Sequence, residues 1–263
     1  MILSIGVIIP TFHRPDQTLE AVRSVLSQTR PPEQIVVVDD GSPDESRDSL
    51  VRNLTGLPVE IILSRHCGHP GRVRNVGLGS IKTTHVAFLD SDDLWIPQKL
   101  EIQEALARSG VRAQGSGFVV AGSNSIDNLT PSDRAETLSL KELLVSNSLC
   151  NSSVLVQRNL LEMIGGLPTS YGVRGIEDYA AWLRVAAHTD WTLLEAPLVI
   201  YSDSPATSMR GTNEFSIPEN TLALLDFASW LQTQGCQVPS FVKVASKAGD
   251  RALLRWASKQ HLS

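Results

Sequence analysis

Residues 35–42 read I-V-V-V-D-D-G-S: four branched or apolar residues in a row, then two carboxylates and a turn. An unbroken apolar run this short suits a strand covered on both faces, as in a parallel sheet, and Asp40-Gly41-Ser42-Pro43 is a strong turn signal that stops it. Working outward, Ile5–Ile9, Val59–Leu63 and His85–Leu89 are runs of the same kind, each ended by polar or turn residues. Helix-like segments lie between them. Asp16 to Gln28 carries Leu19, Val22, Val25 and Leu26 on one side, a single apolar stripe. Gly71 to Ser80 reads as a second helix, and Pro97 to Arg108 as a third with proline in its first turn. Strand and helix alternating four times predict an open α/β sheet.

Past residue 111 the alternation loosens. Phe118–Ala121 and Ser153–Val156 are expected strands, and Lys141–Val145 and Gln157–Ile164 expected helices, the second closed by Gly165-Gly166. Ile176 to Ala187 is a strong helix with Tyr179, Trp182, Leu183 and Ala186 on one face. From Glu219 onward the chain reads as helical, split near Gly235–Pro239. The simplest organisation is a catalytic domain over 1–215, with halves 1–110 and 111–215, and a helical extension over 216–263.

The chain has 263 residues, 42% of them hydrophobic and 19% charged, with a net charge of −5 and mean hydropathy near zero. That composition excludes a disordered or fibrous protein, and its mild acidity argues against a nucleic-acid partner. No apolar run reaches the roughly 18 residues of a spanning helix. The apolar start MILSIGVIIP lacks a basic lead and a small-residue cleavage site, so it is expected to be a buried strand. Cys67, Cys150 and Cys236 are scattered and unpaired in pattern, which fits reduced thiols and a cytoplasmic location.

The chemistry gathers where strands stop. Asp39 and Asp40 follow one strand, and Asp90, Asp92 and Asp93 follow another. In open α/β sheets the ligand crevice lies outside the carboxyl ends of the strands, so both clusters are expected to line one cleft. So many converging carboxylates repel unless a cation offsets them. Magnesium and manganese bind through one or two carboxylates plus substrate phosphates, which implies a phosphate-bearing ligand. Each cluster also reads as an ordinary turn, but two acidic strand ends in one sheet favour a site. Arg72, Arg74 and Asn75 open the helix after the third strand, where a guanidinium can meet a diphosphate. Glu177 and Asp178 begin the strong helix; the macrodipole favours acids there, and a carboxylate at a cleft mouth also suits a general base.

Together these pieces resemble the family 2 glycosyltransferases, inverting sugar transferases with the GT-A nucleotide-diphospho-sugar fold. The matching strings are V-I-I-P-T-F-H-R-P at 7–15, S-V-L-S-Q-T at 24–29 and V-V-V-D-D-G-S at 36–42. V-R-N-V-G-L at 73–78, F-L-D-S-D-D-L-W at 88–95 and G-I-E-D-Y-A-A-W-L-R at 175–184 continue the order. The resemblance implies a nucleotide-diphospho-sugar donor, UDP-linked, and a hydroxyl acceptor that is a glycan, a lipid-linked glycan or a small molecule. It places Pro10 and Thr11 against the nucleobase, Asp40 on the base imide, and Arg74 toward the phosphate or ribose. Asp90 would stand near the ribose, Asp92 assisted by Asp93 on a Mn²⁺ or Mg²⁺ ion, and Asp178 would be the catalytic base with Glu177 beside it.

Processive relatives carry Q-x-x-R-W after the base helix together with membrane spans; neither is found here, so a single transfer is expected. Where relatives often show Tyr-Arg-x-His, this chain has Tyr201-Ser202-Asp203-Ser204, and Ser202–Gly211 is expected to act as a lid. Three rival readings make different demands on the sequence. A magnesium-dependent phosphohydrolase would need its nucleophile at the end of the first strand, where Pro10-Thr11 stands. A sugar nucleotidyltransferase would need a glycine-rich loop there. A non-catalytic nucleotide-sugar-binding module requires Asp178 to lie far from the acidic cleft. Finally, Lys243, Lys247, Arg251, Arg255 and Lys259 recur every four residues, giving the chain from Ser240 onward about +4 and the remainder about −9. Such a basic amphipathic helix either packs on the domain or makes peripheral contact with the inner face of an anionic membrane.

Overall fold

The computed structural model describes residues 2–122, 134–202 and 219–237. The basic helix expected beyond Ser240, and all of the expected lid except Ser202, lie outside the described residues. The element order begins β1 (Ile5–Thr11), α1 (Pro15–Leu26), β2 (Gln34–Asp39), α2 (Asp44–Leu54), β3 (Glu60–Leu63), α3 (Pro70–Ser80) and β4 (His85–Phe88). All four expected strands are present within a residue or two. The helix that alternation demands between β2 and β3, but that periodicity does not locate, is α2. Its inward face is only Ser46, Leu50 and Leu54, too sparse a stripe to stand out.

β5 (Leu94–Trp95), α4 (Lys99–Arg108), β6 (Ala113–Val120), β7 (Ala135–Leu138) and α5 (Leu140–Leu143) follow. After them come β8 (Leu155–Gln157), α6 (Arg158–Met163), α7 (Glu177–Ala186), β9 (Trp191–Tyr201) and α8 (Glu219–Thr233). The strands form one sheet ordered β3-β2-β1-β4-β8-β6-β9-β5, with β7 added on β9. Pairing is parallel from β3 through β4, as expected. Beyond β4 the sheet is mixed: β8 runs antiparallel to β4 and β6, while β6 and β9 are parallel.

Alternate residues of the central strands face opposite cores. Ile5, Val7 and Ile9 pack with Ala21, Val22 and Val25 of α1, Leu50 and Leu54 of α2, and Leu100 of α4. Ile8, Val36, Val38 and Phe88 face the other way, toward Val73 of α3, the apolar side of α7, and Phe227 and Trp230 of α8. α3 sits close to the sheet because a Cβ on Gly77 would fall 2.6 Å from the Ile8 side chain. α8, the first helix of the expected C-terminal extension, is thus built into the main core. Among the described residues no helix is long and apolar enough to cross a membrane.

This topology fixes where a site forms. The chain leaves β1 toward β2 and β3, then crosses back to lay β4 on the other side of β1. The carboxyl ends of β1, β2 and β4 share one edge, with Thr11 opposite Asp39 in register, and the crevice opens where the strand order reverses.

Candidate active site

A cleft of about 680 Å³ opens at that edge. Of the residues expected there, Pro10, Thr11, Asp40, Arg74, Asp90, Asp92, Asp93, Glu177 and Asp178 line it, whereas Asp39, Arg72 and Asn75 do not. Asp178 therefore stands in the cleft with the acids that follow β4, the opposite of what a non-catalytic binding module requires.

The β2 end is built from backbone donors. Asp40 is buried; its Oδ1 accepts from Cys67 N–H and its Oδ2 from Gly68 N–H, both at 2.8 Å. Two N–H bonds hold this carboxylate rigid on the cleft wall while leaving lone pairs for a further donor. Asp39 does not face the cleft in this way. It accepts from the N–H and hydroxyl of Ser42, closing its own turn. Phe12 stacks on His66 with ring centroids 4.5 Å apart at the same end of the cleft.

At the centre, Arg74 Nη2 donates to Asp90 Oδ1 and Nη1 to Glu177 Oε1, each at 2.5 Å. The guanidinium is buried, so these ion pairs bridge α3, the loop after β4 and the start of α7 inside a poorly solvated space. Its two carboxylates hold Arg74 even further toward the charged form than usual. Arg74 thus has its terminal nitrogens engaged within the protein. Of the other residues opening α3, Asn75 clamps Leu167 through both its N–H and C=O at 2.8 Å, and Arg72 is exposed.

The remaining carboxylates sit in contrasting surroundings. Asp92 Oδ2 accepts from Arg14 Nη1 at 2.8 Å. Asp93 is 1% exposed, and its oxygens accept from Ser152 Oγ at 2.5 Å and Ser202 N–H at 2.8 Å. Those bonds commit Asp93 to fixing the loop, and at 1% exposure it presents little oxygen surface to the cleft. Burial, then the charge of Asp90, pushes the Asp92 carboxyl above its ordinary range and that of Asp93 up to about 7. Burial and neighbouring Glu177 raise Asp178 to about 7 as well, against the pull of Arg74. Glu177 is engaged through both oxygens, with Arg74 Nη1 and with Gly175 N–H.

Among the described residues the cleft is lined by six carboxylates, those of Asp40, Asp90, Asp92, Asp93, Glu177 and Asp178, against the three guanidiniums of Arg14, Arg74 and Arg174. All its candidate ligands are hard oxygen donors, and a guanidinium already occupies Asp92 as a stand-in cation. Among the described residues no three His, Cys, Asp or Glu side chains form a ready-made cage. Hard oxygen donors of this kind suit a magnesium- or manganese-type ion held by one or two carboxylates and completed by substrate phosphates.

Several lining residues escaped sequence reasoning. Asn151 donates to Asp90 Oδ1 at 2.9 Å, and Ser152 Oγ donates to Asp93 while accepting from Asp90 N–H. They sit in a 3₁₀ turn at 151–153, held from behind by Trp95 Nε1 on Ser152 O and Gln103 Nε2 on Ser153 O. C-N-S-S carries no charge and blends into the following strand, so nothing marked it. Phe12 and Arg14 lie in the V-I-I-P-T-F-H-R-P segment at 7–15, where the sequence alone assigns neither a partner. Asn220 reaches the cleft from α8.

Residues 6–155 match the family described as "Glycosyl transferase family 2". The chain is 23% identical over 212 residues to the Escherichia coli UDP-Glc:alpha-D-GlcNAc-diphosphoundecaprenol beta-1,3-glucosyltransferase WfgD, covering 80% of this chain and 81% of that one. It is 28% identical to the putative teichuronic acid biosynthesis glycosyltransferase TuaG of Bacillus subtilis, over 69% of this chain and 71% of the relative. An uncharacterized glycosyltransferase of Rickettsia conorii is 36% identical over 99 residues, but those are 38% of this chain and 16% of that longer protein. Among solved structures, S. aureus TarS 1-349 in complex with UDP-GlcNAc superposes with a TM-score of 0.71 at 17% identity, over 90% of this chain and 68% of TarS. The mannosyltransferase PcManGT from Pyrobaculum calidifontis, in complex with GDP-Man and Mn²⁺, gives 0.58 at 17% identity, over 95% of this chain and 80% of that one. These likenesses show a GT-A fold. With the match spanning more than half of its length, the chain belongs to glycosyltransferase family 2.

Proposed function

We propose that this protein transfers a sugar from a nucleotide-diphospho-sugar, UDP-linked, to an acceptor hydroxyl, with inversion and in single rather than processive transfers. The observation that carries this reading is the shared cleft: acids from the end of β4 and Asp178 from the start of α7 converge on one side of the sheet, braced by Arg74. The UDP and UDP-GlcNAc complexes of TarS and the UDP-Glc donor named for WfgD support a uridine nucleotide. WfgD's diphosphoundecaprenol acceptor supports a lipid-linked acceptor and a role in polysaccharide or glycoconjugate assembly. Residues 1–215 are proposed as the catalytic region, with 216–263 as its helical extension, working in the cytoplasm at the inner face of the membrane.

Pro10, Thr11 and Asp40 form the nucleobase wall, with the rigid Asp40 carboxylate accepting the base imide N–H. Asp90 is held toward the ribose side by Arg74 and Asn151, so Arg74 shapes the nucleotide site through its partner carboxylates. Asp92 would hold the divalent cation, Mn²⁺ or Mg²⁺, with Asp93 behind it fixing the loop. A cation bound there supplies Lewis-acid stabilisation of the leaving diphosphate. Asp178 accepts the proton of the attacking hydroxyl, a contribution of about 10²–10⁴-fold for a positioned base. Glu177, tied to Arg74 and Gly175, holds the first turn of α7 so that Asp178 faces the cleft.

Hydrolysis of a panel of nucleotide sugars, with Mn²⁺, Mg²⁺ or EDTA, tests this reading. Turnover of a UDP-sugar that EDTA abolishes is expected. Preference for a GDP-sugar would refute the uridine assignment, and turnover untouched by EDTA would refute the metal.

A further inference from the structure

Arg14 has no role in the transfer outlined above, yet its geometry ties it to the carboxylate proposed to hold the metal. It is the residue preceding α1, immediately before Pro15, and its Nη1 lies 2.8 Å from Asp92 Oδ2, joining loops 78 residues apart in sequence. The turn that aims it is specified. His13 takes a left-handed φ of 55°, uncommon for a residue with a side chain, and its N–H donates to Ser42 Oγ at 2.8 Å. Ser42 is itself fixed on Asp39, so the β2 turn holds the β1 turn in this conformation.

The two arginine–carboxylate systems of the cleft differ in character. Arg74 and Glu177 have side chains 6% and 3% exposed, a closed structural pair. Arg14 and Asp92 are 22% and 21% exposed, both lining the open cleft. A half-buried pair that borders the open cleft is reached by solvent and by ions on one side, as the closed Arg74–Glu177 pair is not. A guanidinium and a divalent cation repel one another and compete for a shared carboxylate. A diphosphate, in turn, offers the guanidinium a bidentate partner of matching geometry.

We infer that Arg14 is the resident counter-cation of the donor site. Its guanidinium neutralises Asp92 in the ligand-free cleft, then yields that carboxylate to the divalent cation and turns to the nucleoside diphosphate. The inference rests on the proposal that Asp92 holds the metal. It gives the site an order: the cation is held weakly until a nucleotide arrives to occupy Arg14, so an empty cleft does not accumulate metal.

The test is Mn²⁺ binding to the full chain without nucleotide, followed by the free-ion electron paramagnetic resonance signal. Wild type is compared with Arg14→Gln and with Arg174→Gln, the latter removing a cleft-lining guanidinium that is not paired with Asp92. Arg14→Gln should tighten Mn²⁺ binding about fivefold, the equivalent of one ion pair bordering solvent, while Arg174→Gln stays within about twofold of wild type. Affinity unchanged or weaker in Arg14→Gln, or raised equally in both variants, overturns the inference. Asp92→Ala measured with saturating UDP separates the two layers. If it binds Mn²⁺ as wild type does, the metal assignment fails and the inference falls with it. If it loses Mn²⁺ while Arg14→Gln matches wild type, only the role of Arg14 falls.

Discussion

Arg74 Nη1 and Nη2 each carry one carboxylate, Glu177 from α7 and Asp90 from the loop after β4. Removing the guanidinium strands Glu177, which is 2% exposed, as a buried charge without its partner. Arg74→Met is therefore expected to cost about 3–5 kcal/mol of folding stability, measured by urea denaturation. Asp178 leads to a pH prediction. Burial and Glu177 raise its carboxyl to about 7, so the protonated form, unable to act as a base, accumulates below that pH. The rate at limiting substrate should drop about tenfold per pH unit below 7 and level off above it. For folding the same shift has the opposite sense: the stability it contributes is present at low pH and is lost as pH rises through about 7. The acids were legible in the sequence because carboxylates at strand ends are unusual enough to notice. Asn151 and Arg14 were not, because their roles depend on partners more than 60 residues away, Asp90 and Asp92.

Elements of the nucleotide half were legible because each strand is a short apolar run, buried on both sides in β1, β2 and β4 and left partly open in the edge strand β3. The other half breaks that rule. β9 runs for 11 residues yet contains Glu195 and Pro197, where its pairing with β6 slips at a bulge. Gly117 sits at the bulge because a Cβ there would come 2.8 Å from Glu195 O. The first half of β6 is small and polar, Ala113 to Gly117, with Gln114 buried and bonded to Gln103 O, so hydrophobicity could not reveal it. Within α3 two glycines do different jobs. A Cβ on Gly71 would lie 2.5 Å from Pro168 O, where α3 meets the segment leading to α7, whereas one on Gly79 meets nothing. Gly71→Ala should destabilise the protein by about 1–3 kcal/mol, and Gly79→Ala should be neutral or stabilising by up to about 1 kcal/mol; paired thermal melts would show the contrast.

Across the whole molecule the sheet separates two cores, and the cleft lies at its edge where the strand order reverses. α8 closes one core with Phe227, fully buried, and Trp230, which stacks on Phe227 at 6.0 Å. Phe227→Ala is expected to cost about 3–5 kcal/mol while unfolding stays a single transition by both circular dichroism and tryptophan fluorescence. The excess of acid over base also belongs to this scale. The net charge of −5 combines a basic stretch after Ser240 with an acidic remainder, and part of that acidity lies in the cleft, where a divalent cation and a nucleotide would meet it. The claim on which the account turns is that Asp178 does the proton chemistry and takes no part in holding the donor. Calorimetric titration of UDP with Mn²⁺ into wild type and Asp178→Asn, alongside their transfer rates, tests it most directly. A Kd within about threefold of wild type and a rate reduced at least about 10²-fold are expected; an undiminished rate, or nucleotide binding lost together with the rate, would overturn Asp178 as the base.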